Sequence, residues 1–226
     1  MDLQSPQSFI PETNITMKIL LAICFVLLQW SHLAAQKESA FFNSSKVSVD
    51  FVGLDFSNAK LVGVEDFSNP AKIQSYYFPS LNGILLSEMR KYDVKGAFYK
   101  NEVNYYLGVV EQLNQQIEYI DLVVNTTPAP FTDKEIQKMV RAYDNTGLES
   151  DYGVSFIVHS LNKFQERAYI YVVVFNPKNK KVLFSQRMSG EAAGIGFRNY
   201  WARTVYDVIK QIKTHEFRAW RKQYKK

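Results

Sequence analysis

Cysteine occurs once in the 226 residues, at Cys24. A lone cysteine closes no disulfide within the chain, and it excludes thiolate-rich zinc sites and paired-thiol redox chemistry. Histidine is nearly as scarce: His32, His159 and His215 are the only three. There is no HExxH pair, which removes the usual zinc-hydrolase helix. There is no Gly-x-Ser-x-Gly elbow either, and Ser155 and Ser189 have the wrong neighbours for one. Long apolar runs are missing: the longest, Ile19 to Leu28, has ten residues, and a spanning helix needs about twenty. Charge of one sign is missing from most of the chain. The net +5 is concentrated at the C-terminus, where Lys210 to Lys226 carries seven Lys or Arg against one Glu, leaving −1 over residues 1–209.

What is present begins with MKILLAICFVLLQWSHLAAQKES, Met17 to Ser39. Lys18 supplies a short positive n-region, the apolar run follows, and Ala34 and Ala35 are small residues of the kind a signal peptidase needs. This is the pattern of a secretory signal peptide over residues 17–35, with cleavage expected after Ala35 or Gln36. Asp2 and Glu12 do not suit an n-region, so residues 1–16 read as a mis-assigned upstream start. Ile23 is too large to precede a lipidated cysteine, so Cys24 is not expected to carry lipid. The expectation is an exported protein, periplasmic or extracellular, with a cysteine-free mature chain and no transmembrane segment after signal cleavage. Residues 36–45 read as a flexible mature N-terminus, 46–213 as a single α/β domain and 214–226 as a basic aromatic tail. About 190 residues are enough for one core without disulfides.

Val47, Val49 and Phe51 alternate with polar residues, the period of a half-buried strand. The tetrad DFSN occurs at Asp55 to Asn58 and again at Asp66 to Asn69, and reads as turn chemistry closing two strands. Pro79 opens a predicted helix whose apolar face is Leu81, Ile84, Leu85 and Met89. Asn104 to Gln116 is a weaker helical stretch, and Glu118 to Val124 reads as a strand. Thr132 and Glu135 have capping-box spacing ahead of a helix with Ile136, Met139, Val140 and Tyr143 as its buried stripe. Val154 to Leu161, Ala168 to Phe175 and Lys181 to Met188 follow as strands. Their links are too short for anything but antiparallel hairpins. The middle strand is apolar on both faces, so it is expected to be covered on both. The fold class is therefore α/β, a mixed central sheet with a C-terminal antiparallel three-stranded meander, flanked by helices and ending in a long C-terminal helix.

Three glycines in GEAAGIG, Gly190 to Gly196, precede that last helix, on which Trp201, Val205, Val208 and Ile212 recur at helical spacing. A phosphate loop would end in Gly-Lys-Ser/Thr, and here it ends in Gly196-Phe197-Arg198. The third glycine of a dinucleotide fingerprint is replaced by Asn199. The glycines read as a bulged strand end and a sharp helix entry. An anion site at Arg198, Asn199 and the helix start is the functional alternative. In the tail, Phe217, Trp220 and Tyr224 interleave with Arg218, Arg221, Lys222, Lys225 and Lys226. Such interleaving suits an anionic surface, and equally a helix docked by its aromatics with its cations in water. The candidate binding residues are Arg198, Asn199, Arg218, Trp220, Arg221 and Lys222; no catalytic residue, metal ligand or cofactor is assigned. His159 shares a predicted face with Ile157 and Leu161, as a core or sheet-surface histidine would, and His215 falls on the same predicted helical stripe as Ile212 and Ala219. Asp50, Asp55, Glu65 and Asp66 are the carboxylates to test for a hydrolytic pair. Asp144 to Asp151 lacks EF-hand spacing and reads as a polar turn.

DYGVSFIV (Asp151 to Val158), KKVLFSQRMSGEAAGIGFRNYWA (Lys180 to Ala202) and the signal ending AAQK resemble an uncharacterised family of secreted proteins from Gram-negative Bacteroidota. That family has no assigned activity and transfers no functional residue. The element order is similar to that of the TolB amino-terminal domain and of CsgG and LpoB, small α/β modules that bind partners in the envelope. The resemblance implies a non-enzymatic envelope module binding a protein partner, an anionic cell wall or a lipid surface, with nucleic acid excluded by export. A secreted hydrolase with a carboxylate or His159 site is the alternative.

Overall fold

The computed structural model describes residues 19–21 and 39–225. Apart from the helical residues 19–21, the signal peptide and the upstream start lie outside the described residues. Glu38–Lys226 form one unit. Among the described residues no helix is long and apolar enough to cross a membrane.

The unit is built on a seven-stranded mixed sheet. Its strands are β1 (Val49–Asp55), β2 (Lys60–Val62), β3 (Asn104–Tyr105), β4 (Val123–Val124), β5 (Tyr152–Asn162), β6 (Arg167–Phe175) and β7 (Val182–Glu191). The eleven-residue β5 organises the sheet. Along one side of it run β1, paired with residues 152–157, and β2, paired with 160–162, both parallel to it. In effect β1 and β2 are one strand interrupted by a turn at residues 56–59. Outside them, β3 and β4 add two-residue parallel edges. On its other side β5 pairs antiparallel with β6, and β6 antiparallel with β7.

Among the helices that cover the two faces are α1 (Phe78–Ser87), α2 (Val94–Ala97), α3 (Gly108–Gln115), α4 (Asp133–Arg141), α5 (Phe197–Gln211) and α6 (Phe217–Gln223). One core holds Phe51, Phe156 and Val172 of the sheet with Leu81 of α1, Val94 of α2, Trp201 and Val208 of α5, and Phe217 of α6. The opposite core holds Val52, Ile157 and Val173 with Val110 of α3 and Ile136 and Val140 of α4. The sheet is thus covered on both faces, which is why β5 and β6 are apolar on both. In α4, Thr132 and Glu135 form the full capping box, and Ile136, Met139, Val140 and Tyr143 are all buried.

Several local expectations change. Pro79 stands in the first turn of α1, as expected, but the helical path begins well before it. The chain is already helical at Pro70–Lys72, where the Asn69 side chain caps it, and it widens into a π-turn at Ile73–Tyr77 just ahead of the proline. Proline lacks the N–H that would bond four residues back, and its ring crowds that carbonyl; a wider turn accommodates both. The second DFSN tetrad therefore leads into a helix rather than closing a strand. α1 ends at Ser87, which leaves Met89 51 % exposed rather than in the core. Asn104–Tyr105 is strand, and helix starts only at Gly108. Within Glu118 to Val124, Tyr119–Asp121 form a 3-10 turn, and strand is confined to Val123–Val124.

A second π-turn, Ile212–Glu216, separates α5 from α6 and shifts the apolar stripe. His215 and Ala219, expected beside Ile212, face solvent, while Phe217 and Trp220 are 1 % and 3 % exposed. β5 carries a bulge between Val158 and Ser160 in its pairing with β6. The extra residue, His159, stays on the face of Ile157, but Leu161 passes to the opposite core. The N-terminal segment also differs from a loose leader. Residues 39–43 are helical, and Phe41 and Phe42 are buried against Phe217 and Trp220.

Candidate functional site

The sheet has one long edge strand. Among the described residues β7 pairs only with β6, whereas β3 and β4 at the far side have two residues each. The direction of β7's main-chain groups follows from its last hydrogen bonds. Ala192 N–H donates to Glu166 O at 2.7 Å, toward β6. Glu191 N–H donates to Asp207 Oδ2 of α5 at 3.2 Å, away from β6. In an antiparallel ladder these directions alternate, so Ser185, Arg187 and Ser189 also turn their N–H and C=O groups outward.

Both ends of this edge are capped by helix side chains. Val182 N–H donates to Gln137 Oε1 of α4 at 3.0 Å, and Gln211 Nε2 of α5 donates to Ser189 O at 2.9 Å. In the middle the one cap is local: Gln186 Nε2 donates to Arg187 O at 3.2 Å. Beside this open stretch lies a cavity of about 590 Å³, walled by Lys134 and Gln137 of α4, Phe184 and Gln186 of β7, and Gln223 and Tyr224 at the end of α6. Arg187 points to the same sheet face as its cross-strand partner Tyr171. Its guanidinium carbon lies 4.0 Å from the Tyr169 ring centre, and its Nε is buried without a hydrogen-bond partner. It makes no ion pair among the described residues.

The other candidates are dispersed. Arg198 and Asn199 are exposed on the first turn of α5, and the Arg198 Nε and Nη2 donate to Asn199 Oδ1 at 3.3 and 3.2 Å. Gly194 and Gly196 have φ of 122° and 78°, and a Cβ on Gly190 would stand 2.0 Å from Thr204 O, so the glycines serve the turn and the close packing of β7 on α5. A smaller cleft of about 360 Å³ lies beside this loop, between Lys163 and Tyr200. Trp220 is not a surface residue: it packs on Phe184 at 4.8 Å and on Phe42 at 6.4 Å. Arg218, Arg221 and Lys222 remain exposed around it.

The carboxylates do not face one another across a cleft. Asp50 is buried, accepting from Ser150 N, Ser150 Oγ and Asn104 Nδ2 at 3.0, 2.6 and 3.1 Å. Asp55 is buried on the α4 side, where it accepts from Tyr143 Oη at 2.8 Å and from Ser57 N at 2.8 Å. Tyr143 Oη also lies 2.9 Å from Ser155 Oγ. Glu65 and Asp66 are exposed. His159 is buried, with Nε2 2.9 Å from Ala129 O and Nδ1 3.1 Å from Ser160 Oγ. The carbonyl only accepts, so Nε2 carries the proton. Burial holds the ring below the usual imidazole range, and the Arg187 charge adds to this against the bond to Ala129. Asp144 spends its carboxylate on Thr146, as a polar turn does. Among the described residues no group of three or more His, Cys, Asp or Glu could hold a metal ion.

Asp55 carries a pH prediction. Burial raises its carboxyl above the ordinary value of 3.8, against bonds from Ser57 and Tyr143 that lower it. The folded state therefore holds this proton more tightly than the unfolded state does. The associated stability is complete below 3.8 and is lost as pH rises through the folded value. Asp55→Asn removes the titration, so its melting temperature relative to the parent should be higher at pH 7 than at pH 4. An offset equal at both values would sink this account.

No family model matches the chain, and no curated protein matches it. Among solved structures it is similar to the lipoprotein GNA1162 from Neisseria meningitidis, at 14 % identity and a TM-score of 0.33, covering 75 % of this chain and 99 % of that one. It is also similar to the LpoB C-terminal domain from Salmonella enterica, at 9 % identity and a TM-score of 0.29, covering 66 % and 84 %. At such scores the functional case rests on the geometry of this chain alone.

The β7 edge escaped the sequence reading. Its residues were legible as a strand, but nothing in Lys181 to Met188 says that no further strand follows on its outer side.

Proposed function

We propose that this chain is an exported, non-enzymatic module that binds a protein partner by accepting an extended segment along β7. The observation that carries the reading is a ten-residue edge strand whose ends are capped by Gln137, Asp207 and Gln211 and whose middle is open beside a groove. Exposed edges of this length are templates for pairing, and proteins ordinarily cover or charge them. Strand addition draws affinity from main-chain hydrogen bonds and selectivity from flanking pockets. Export is supported by the signal-type segment at Met17 to Ala35. The buried, fully engaged states of His159, Asp50 and Asp55 favour binding over hydrolysis.

Ser185→Pro tests this. Proline removes the outward N–H of Ser185 and leaves the ladder to β6 intact, a position where edge strands accept proline. The variant should keep its circular dichroism spectrum and its melting temperature to within a few degrees, yet lose most of its retention of envelope-fraction proteins in a pull-down. Retention equal to the parent's would move the binding surface elsewhere.

A further inference from the structure

The open part of the edge carries a cation set to read the incoming strand. Arg187 is held flat on Tyr169, with the guanidinium carbon 4.0 Å from the ring centre, and its buried Nε has no partner. The neighbouring Arg167 is already used: its Nη2 is 2.8 Å from Glu191 Oε1, and its Nη1 donates to Ser189 Oγ at 3.1 Å. Arg187 therefore differs from it in having charge to offer. Residues directly opposite in adjacent strands point to the same face, with Cβ atoms about 5 Å apart. A strand added at β7 thus places one side chain beside Arg187 on the α3/α4 face of the sheet. An aspartate or glutamate there satisfies both the charge and the planar donor edge of a guanidinium.

Cations stand beside the groove. On its lining Lys134 and Asp133 offset one another, while the exposed Lys181 precedes the lining residue Val182 and the exposed Arg221 and Lys222 precede Gln223. An acidic segment is drawn to such a rim and a basic one is repelled.

We propose that the strand accepted at β7 is an acidic extended segment of a partner protein, with an Asp or Glu seated opposite Arg187. This rests on the strand-addition reading and adds the chemistry of the occupant. On binding, the Gln186 amide gives up Arg187 O to the incoming main chain.

The test uses the domain from Glu38 onward and two labelled ten-residue peptides, one alternating Thr and Glu, the other Thr and Gln. Fluorescence anisotropy reads affinity, and amide hydrogen exchange reads the site. The Thr–Glu peptide should bind about fivefold or more tightly than the Thr–Gln peptide, with slowed exchange at Ser185 and Arg187. Arg187→Gln should erase this preference, so that the two peptides bind alike, with the circular dichroism spectrum retained. Ser185→Pro should abolish both.

Equal binding of the two peptides, with Ser185 and Arg187 protected, overturns the acidic preference and keeps strand addition. Acidic binding that survives Ser185→Pro but is lost in Arg218→Gln/Arg221→Gln/Lys222→Gln overturns the site and assigns it to the basic helix. A dimer that Ser185→Pro dissociates gives the edge to a second copy and overturns the peptide as occupant. Binding of neither peptide, with no change in exchange, overturns both readings.

Discussion

A chain ended after Lys213 should not fold. The sequence presents residues 214–226 as a separable basic tail, but in the structure this segment supplies Phe217 and Trp220 to the core, at 1 % and 3 % exposure. Phe217 packs on Phe41, Phe42, Phe98 and Tyr99, and Trp220 on Phe184. Residues 39–43 and the end of α6 clasp one another: Phe42 stacks on Tyr224 at 4.5 Å, and Ser39 Oγ and Asn43 Nδ2 each donate to Tyr224 O at 2.9 Å. Removing one buried Phe or Trp side chain costs about 3–5 kcal/mol. Losing two is comparable with the whole stability of a typical domain, about 5–15 kcal/mol. Circular dichroism of the truncated chain should lack a cooperative thermal transition. The control is Arg218→Gln/Arg221→Gln/Lys222→Gln, which neutralises the exposed cations without touching the aromatics and should shift the melting temperature by only a few degrees. If the truncated chain melts cooperatively near the parent's temperature, the docking of α6 is not what holds this end of the core.

The second large effect is expected at two asparagines. Beyond Phe51, β1 has no strand on its outer side among the described residues, because β3 pairs only at Asp50 and Phe51. The main-chain groups left there are met by side chains. Asn82 of α1 accepts from Leu54 N at 2.7 Å and donates to Leu54 O at 3.0 Å. Asn114 of α3 accepts from Phe56 N at 2.7 Å and donates to the same carbonyl at 2.9 Å. Both side chains are buried, so two helices on opposite faces act as a substitute strand. Asn82→Ala leaves Leu54 N–H without a partner while Asn114 still donates to Leu54 O, so it should cost about 1–3 kcal/mol. Asn114→Ala should cost a similar amount. Their shared carbonyl means the double variant should depart from the sum of the two. Urea denaturation measures all three, and hydrogen exchange at Leu54 and Phe56 should accelerate in the single variants. A loss below about 0.5 kcal/mol in either would mean that water replaces the amide at no cost, contrary to its burial.

These two effects mark where sequence reading stops. α4 was legible because its signals are local: a capping box and an apolar stripe of Ile136, Met139, Val140 and Tyr143. The hairpins among β5, β6 and β7 were legible because short links leave one geometry. Asn82 and Asn114 were not legible, since an asparagine bonding a backbone 28 or 60 residues away looks like any other in the chain. The pattern places His159 in the core or on the sheet surface, and it is buried, but the pattern does not show the bulge that sends Leu161 to the other core. The π-turns at Ile73–Tyr77 and Ile212–Glu216 each break the period on which a stripe is projected, which is how His215 was placed on the wrong side. For the candidate site, Arg187 was visible only as one residue of a strand. Its stacking on Tyr169 and its place on a free edge depend on pairing.

By itself the sequence determined what lies within one element or one short link: the α4 cap and the hairpins. Those depend on residue type, local hydrogen bonds and chain reach, which act over a few residues. The tertiary structure alone decided that β1 and β2 run parallel to β5, that the basic tail is part of the core, and that β7 stands at the edge. Each of these depends on which apolar surfaces meet across large separations in the chain. That choice is made by burial summed over the whole sheet, and no local pattern records it.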